Sequence, residues 1–125
     1  MLKLAPVIAV VDDEESVRKA LGRLIRASGF RVETFSSGSD FLRSLEQQRP
    51  HCVVLDLRMP HLNGFHVQRA MADAGTRLPV VIITGDDSPE SRVLALAQGA
   101  KAYLRKPIDD AMLLDAIQTA MRAFV

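Results

Sequence analysis

Acidic residues cluster early in this sequence, as Asp12-Asp13-Glu14-Glu15, and a further acid, Asp56, closes the apolar run Cys52-Val53-Val54-Leu55. Thr84 closes a second apolar run, and Lys106-Pro107 follows a segment that starts at Ala102. Carboxylates brought to about 4 Å of one another repel by several kcal/mol per pair at an effective dielectric of about 20. A converging set therefore needs positive charge. A hard divalent cation held by carboxylates, a backbone carbonyl and water answers that need, and Mg²⁺ keeps positions open for a phosphate oxygen. Lys106 can then hold a second phosphate oxygen as a point charge, and the Thr84 hydroxyl can donate to a third. The chemistry implied is phosphoryl transfer. Asp56, alone at the end of the central run, is the candidate nucleophile, and the adjacent Asp12 and Asp13 are the candidate metal pair. A carboxylate attacking phosphorus gives an acyl phosphate, with catalysis by positioning and charge neutralisation. Taken singly, each acid has a plainer reading, because aspartate at a strand end commonly caps the next helix.

For these residues to meet, the segments that carry them must end side by side. Val7-Ile8-Ala9-Val10-Val11, Cys52-Val53-Val54-Leu55 and Val80-Val81-Ile82-Ile83 are β-branched, lack alternation and are too short for helices. They predict strands covered on both faces of a parallel sheet. Arg31–Phe35, after Gly29, and Ala102–Arg105, after Gly99-Ala100, are weaker strands. Helical spacing links Val17, Ala20, Leu21, Leu24 and Ile25; then Phe41, Leu42 and Leu45, with Ser37 as N-cap; then Val67, Ala70, Met71 and Ala74. Leu113, Ala116, Ile117, Ala120 and Phe124 form the last such set. Ser88-Pro89 opens a helix over 88–98 whose apolar stripe of Val93, Leu96 and Ala97 is thin, so it is expected to be the least firmly packed. Strict alternation of strand and helix predicts right-handed crossovers and a three-layer α/β sandwich. In such sheets the ligand sits beyond the carboxyl ends of the strands, at the switch point of strand order.

With 48% hydrophobic and 25% charged positions, the chain reads as one globular domain over residues 1–125, large enough to fold without a disulfide or structural metal. The single cysteine, Cys52, has no internal partner and no zinc-ligand spacing, which points to buried packing and a reducing, cytoplasmic setting. Sixteen basic against fifteen acidic residues, with no basic run, weigh against direct nucleic-acid binding. No apolar run approaches the roughly 20 residues that span a bilayer, and the N-terminus lacks a signal-peptide pattern. His51, His61 and His66 share no metal-ligand spacing and read as surface residues; Met71, Met112 and Met121 read as packing. Gly64 reads as a site of close packing at the start of the third helix.

Val11-Asp12-Asp13-Glu14, Leu55-Asp56-Leu57-Arg58-Met59-Pro60 with Asn63-Gly64, Ile83-Thr84-Gly85 and Lys106-Pro107, in that order and spacing, resemble the response-regulator receiver domain of two-component signalling. The resemblance runs from about Pro6 to Phe124, and Asp-Leu-Arg-Met-Pro, Ile-Thr-Gly and Gly-Ala-x-x-Tyr-Leu-x-Lys-Pro are similar to the FixJ-like subfamily. It implies a (βα)5 flavodoxin-like, doubly wound parallel sheet with strand order 2-1-3-4-5. It also implies that Asp56 accepts a phosphoryl group from a phosphohistidine of a sensor histidine kinase. Mg²⁺ (or Mn²⁺) would bind Asp13, Asp56 and the backbone carbonyl of Arg58 directly, and Asp12 through water.

By the same resemblance Thr84 would follow the phosphoryl group, Tyr103 would rotate inward behind it, and Lys106 would pair with a phosphate oxygen ahead of a cis Lys106-Pro107 bond. The readout face would be the fourth helix, fifth strand and fifth helix, where a homodimer or a DNA-binding output domain outside this chain would form. Such a protein is a switch that catalyses its own phosphorylation from phosphodonors and its slow dephosphorylation, turning over no external metabolite. Arg58 and Asp86 occupy positions that vary in the family; they are expected to pair across the site mouth and modulate water access, against the alternative of two solvated charges. Gly85, where many receivers carry alanine, would leave the mouth more open. Two competing functions are weaker. An aspartyl-nucleophile phosphohydrolase usually has a second acid where Arg58 stands, and a nucleotide-binding module has glycines where the first turn has four acids. A receiver-like interaction module without phosphorylation is the third alternative, although every expected site residue is present.

Overall fold

The computed structural model describes residues 4–123. Phe124, counted above in the last helix, lies outside the described residues. Strands β1 (Val7–Val11), β2 (Arg31–Phe35), β3 (Cys52–Asp56), β4 (Val80–Thr84) and β5 (Ala102–Arg105) alternate with helices α1 (Glu15–Ala27), α2 (Gly38–Ser44), α3 (Gly64–Asp73), α4 (Pro89–Ala97) and α5 (Asp110–Ala123). All strand pairs are parallel and the order is β2-β1-β3-β4-β5, the flavodoxin-like arrangement expected. No helix among the described residues is long and apolar enough to cross a membrane.

Every residue of β1, β3 and β4 is buried, which is why their sequences are apolar up to the terminal Asp56 of β3 and Thr84 of β4. Alternate positions feed two cores. Ala9, Val11, Val53, Leu55 and Ile82 pack with Phe41, Val67, Met71 and Tyr103 on the face covered by α2, α3 and α4. Ile8, Val10, Val54, Val81 and Ile83 pack with Leu21, Ile25, Leu113 and Ile117 under α1 and α5. Each fully buried aliphatic side chain contributes on the order of 1.5–3 kcal/mol, so the sheet centre is the rigid part of the molecule. Cys52 is one of these residues; burial pushes its thiol up to about 12, so it is inert packing.

The helix ends are fixed by local chemistry. Asp12 Oδ1 accepts the Glu14 amide at 2.9 Å just before α1, and α1 stops at Gly29, whose φ of +97° a side chain would resist. Asn63 Oδ1 accepts the His66 amide at 2.9 Å while His66 Nδ1 accepts the Asn63 amide at 3.0 Å, a reciprocal cap that starts α3. His51 Nδ1 accepts the Val7 amide at 3.0 Å and ties the start of β3 to the start of β1. Both histidines are exposed, yet each satisfies a backbone donor. Ser88 caps α4 through the Ser91 amide at 3.0 Å with Pro89 next, and α4 buries one residue only, Ala95.

Candidate functional site

The order of strands reverses between β1 and β3, and the site residues stand at that edge. Asp56 is the last residue of β3 and Thr84 the last of β4; Asp12 and Asp13 follow β1, and Lys106 follows β5. Backbone bonds beyond the strands hold these positions: the Asp12 amide donates to the Phe35 carbonyl, Leu57 to Ile83, and Lys106 to Thr84 at 2.8 Å. The Lys106-Pro107 peptide is cis. Oxygen atoms of Asp12, Asp13 and Asp56 all lie within 4.8 Å of one another, with Asp12 and Asp56 buried and Asp13 exposed. Lys106 Nζ stands 2.9 Å from Asp12 Oδ2, 3.5 Å from Asp56 Oδ2 and 3.4 Å from Glu14 Oε1.

Gly64 allows the next helix to reach the acceptor strand. A Cβ there would lie 2.7 Å from the Asp56 carbonyl oxygen and 2.9 Å from Leu57 Cα, both backbone atoms that cannot yield cheaply. Gly85 differs: a methyl there would meet only Lys106 Cδ, at 3.8 Å.

Burial, reinforced by the charge of Asp12, pushes the Asp56 carboxyl up to about 6, although Lys106 and the Arg58 amide, 3.2 Å from Oδ1, pull the other way. Lys106 is itself drawn down by burial, but Asp12, Asp56 and Glu14 outweigh that and hold its ammonium above the ordinary lysine range. Asp12 Oδ2 is buried and takes no directed hydrogen bond; the neighbouring ammonium offsets its charge without that geometry. Three carboxylates gathered beside a single cation make a donor set that fits a hard, oxygen-seeking divalent ion.

At the mouth, the Arg58 guanidinium forms an ion pair with the Asp86 carboxylate, both side chains 65% exposed. The Asp86 amide donates to Thr84 Oγ1 at 3.1 Å, so the Thr84 hydroxyl is engaged by its own loop. The Tyr103 ring is buried at 6% exposure. It belongs to the core cluster that includes Ala95 and Ile82, and the Arg92 guanidinium lies 5.4 Å from the ring centroid, a cation–π contact. The phenol is raised above the ordinary tyrosine range by burial and then by the Asp87 carboxylate that faces it.

The sequence model of the response regulator receiver domain matches residues 8–118. The chain belongs to that family. This receiver domain is 40% identical over 116 residues to response regulator protein TmoT of Ectopseudomonas mendocina, covering 93% of the chain and 53% of that protein. It is 37% identical over 118 residues to response regulator protein TodT of Pseudomonas putida, covering 94% and 52%. The chain thus spans about half the length of the curated relatives it matches. Among solved structures, FixJ-N superposes with a TM-score of 0.89 at 33% identity, covering all of this chain and 98% of the other. A receiver protein from Burkholderia phymatum gives 0.82 at 42% identity, with 94% and 95% covered.

Beyond Asp12, Asp13, Asp56, Thr84 and Lys106, the receiver's site includes Glu14 as a third carboxylate on Lys106, a role that sequence reasoning left unassigned. Its place two residues beyond Asp12, on the turn into α1, was the available signal. Gln68 was also missed. It is the one buried polar side chain among the described residues outside the acidic site, since the other three are Asp12, Asp56 and Thr84.

Proposed function

We propose that Asp56 accepts a phosphoryl group from the phosphohistidine of a sensor histidine kinase and that this charge redirects the face made by α4, β5 and α5. The convergence of Asp12, Asp13 and Asp56 with Lys106 at the switch point carries this reading. An Asp56 oxygen forms the bond to phosphorus as the bond to the kinase imidazole breaks, and the imidazole keeps the electron pair. The site would hold Mg²⁺ or Mn²⁺ through Asp12, Asp13, Asp56 and the Arg58 carbonyl, and such an ion neutralises charge on the transferred oxygens. Lys106 is released by the acids to pair with a phosphoryl oxygen. The Thr84 hydroxyl turns its proton from the Asp86 carbonyl, 3.4 Å away, to another phosphoryl oxygen. Tyr103 follows behind Thr84, and the rearrangement reaches the loop that leads into α4.

In the same reading Arg58 and Asp86, paired across the mouth before phosphorylation, modulate water access to the acyl phosphate and lengthen its lifetime. The domain works in the cytoplasm, dimerises or docks through its α4–β5–α5 face, and passes the signal to a DNA-binding output domain outside these residues. Intact-protein mass after incubation with acetyl phosphate and Mg²⁺ tests the chemistry. One added phosphoryl group, lost in Asp56→Ala and with a chelator, supports it. No adduct, together with no spectral response to beryllofluoride, overturns it in favour of an interaction module that works without phosphorylation.

A further inference from the structure

Helix α4 is held unequally at its two ends. Val93 is 68% exposed, Leu94 and Leu96 are also exposed, and Ala95 is its one buried residue, so apolar burial contributes little to fixing the helix on the sheet. At its N-terminal end the ties are the Ser88 cap, the Arg92 guanidinium over Tyr103 and, just upstream, the exposed Arg58–Asp86 pair. Its C-terminal end is anchored from inside the core. Gln68 of α3, 4% exposed, donates from Nε2 to the Ala95 carbonyl at 3.1 Å. That carbonyl also accepts the Ala100 amide at 3.1 Å, the bond that closes the helix beyond Gly99.

The other half of the Gln68 amide gains nothing. Oε1 makes no hydrogen bond to another protein group, so the Nε2 bond to Ala95 is the protein contact of this amide. A buried amide with one satisfied end is worth keeping only for what that end does. We propose that Gln68 is a positioning residue that clips the C-terminal end of α4 to α3, so that α4 moves by pivoting about Ala95, with its displacement confined to the end near Asp86, Arg92 and Tyr103. The pivot rests on the switching role proposed above; the clip itself does not.

Residue-resolved amide hydrogen exchange separates these claims, using beryllofluoride with Mg²⁺ to occupy Asp56. The reporters are the Arg92 amide, bonded to the Ser88 carbonyl, and the Ala100 amide, which shares the Ala95 carbonyl with Gln68. In the unmodified protein, beryllofluoride should speed exchange at Arg92 about tenfold, the equivalent of one hydrogen bond, and leave Ala100 unchanged. Without beryllofluoride, Gln68→Met should speed Ala100 exchange by a similar factor while its melting temperature holds or rises. Tyr103, the one tyrosine in a chain without tryptophan, gives a second readout. Its fluorescence response to beryllofluoride should shrink in Gln68→Met at unchanged beryllofluoride affinity, which loss of packing alone does not predict. Unchanged Ala100 exchange in Gln68→Met, or Ala100 and Arg92 responding together in the unmodified protein, overturns the proposal. The second comparison needs no variant and so survives a Gln68→Met protein that does not fold. If beryllofluoride binds without altering α4, the pivot falls together with the switching role, and the clip is still decided by the variant.

Discussion

Asp56→Asn should make the protein more stable, because the fold holds this carboxylate against its preference. Burial and Asp12 raise Asp56 from 3.8 to about 6, and at about 1.4 kcal/mol per tenfold change the ionised form destabilises the native state by up to about 3 kcal/mol. Asparagine keeps an oxygen for the Arg58 amide, and Lys106 keeps Asp12 and Glu14. The attraction to Lys106 is already contained in that raised value, so a net gain of about 2–3 kcal/mol at pH 7.5 is expected, or roughly 8–12 °C in melting temperature for a domain of this size. The sign with pH follows from linkage. Between 3.8 and about 6 the native state binds the proton that the unfolded chain has released, so the wild-type protein gains stability from this group as pH falls through that window. Its penalty is complete above about 6 and gone below 3.8. Thermal melts followed by circular dichroism in chelator, at pH 7.5 and pH 5, should show the gap between variant and wild type shrink at the lower pH. Added Mg²⁺ should raise the wild-type protein more than the variant. A variant no more stable at pH 7.5, or a gap that ignores pH, would refute the claim that Asp56 repulsion is stored in the fold.

Gly64→Ala should cost roughly 1–3 kcal/mol and slow acetyl-phosphate labelling, since its methyl would overlap the Asp56 carbonyl and Leu57 Cα; urea melts and intact mass check both effects. Arg58→Ala should leave stability within about 1 kcal/mol, as befits an exposed pair, yet shorten the phosphoryl lifetime. A dephosphorylation rate equal to wild type would reduce the mouth pair to two solvated charges. His61, held at φ +67°, should gain up to about 1 kcal/mol on change to glycine, measured as a shift in urea midpoint at constant slope.

Legibility in the sequence tracked how strongly packing constrains each segment. β1, β3 and β4 are buried at every position and carry polar residues only at the last positions of β3 and β4, Asp56 and Thr84, so their apolar runs read plainly. β2 and β5, with exposed Arg31, Glu33 and Arg105, had to be found from the glycines that precede them. The site was legible because Asp12, Asp56, Thr84 and Lys106 must lie at strand ends for any parallel sheet to bring them together. What one side chain does to another was not. His66 closes a cap in place of the usual Glu or Gln, and nothing in its spacing reports that geometry. Gln68 did leave a signal: Gly64, Val67, Gln68 and Met71 fall at i, i+3, i+4 and i+7, the inward stripe of α3, and all four are buried. A polar residue on that stripe was passed over for Ala70 and Ala74. Ala74 proves exposed, beyond the last turn.

Asp86 is where the site and α4 meet. Its carboxylate holds Arg58, its carbonyl accepts the Thr84 hydroxyl at 3.4 Å while its amide donates to the same oxygen, and it stands two residues before the Ser88 cap. A dianion on Asp56 competes for both partners at once: guanidinium is drawn to phosphoryl oxygen, and the hydroxyl donates more strongly to an anion than it does within its own loop. The exposed ion pair is worth at most about 1 kcal/mol and the hydroxyl bond about the same, so the loop is restrained by roughly 1–2 kcal/mol in total. Restraint of that size leaves the alternative loop at several per cent before any phosphoryl group arrives. The minor state should then appear as exchange broadening confined to residues 84–92 in the unphosphorylated protein. Arg58→Ala should enlarge its population several-fold by deleting one of the two restraints. Broadening that spreads into Gln98–Ala100 would mean that the loop and all of α4 move as one body, and that the asymmetry of its two ends has no mechanical consequence.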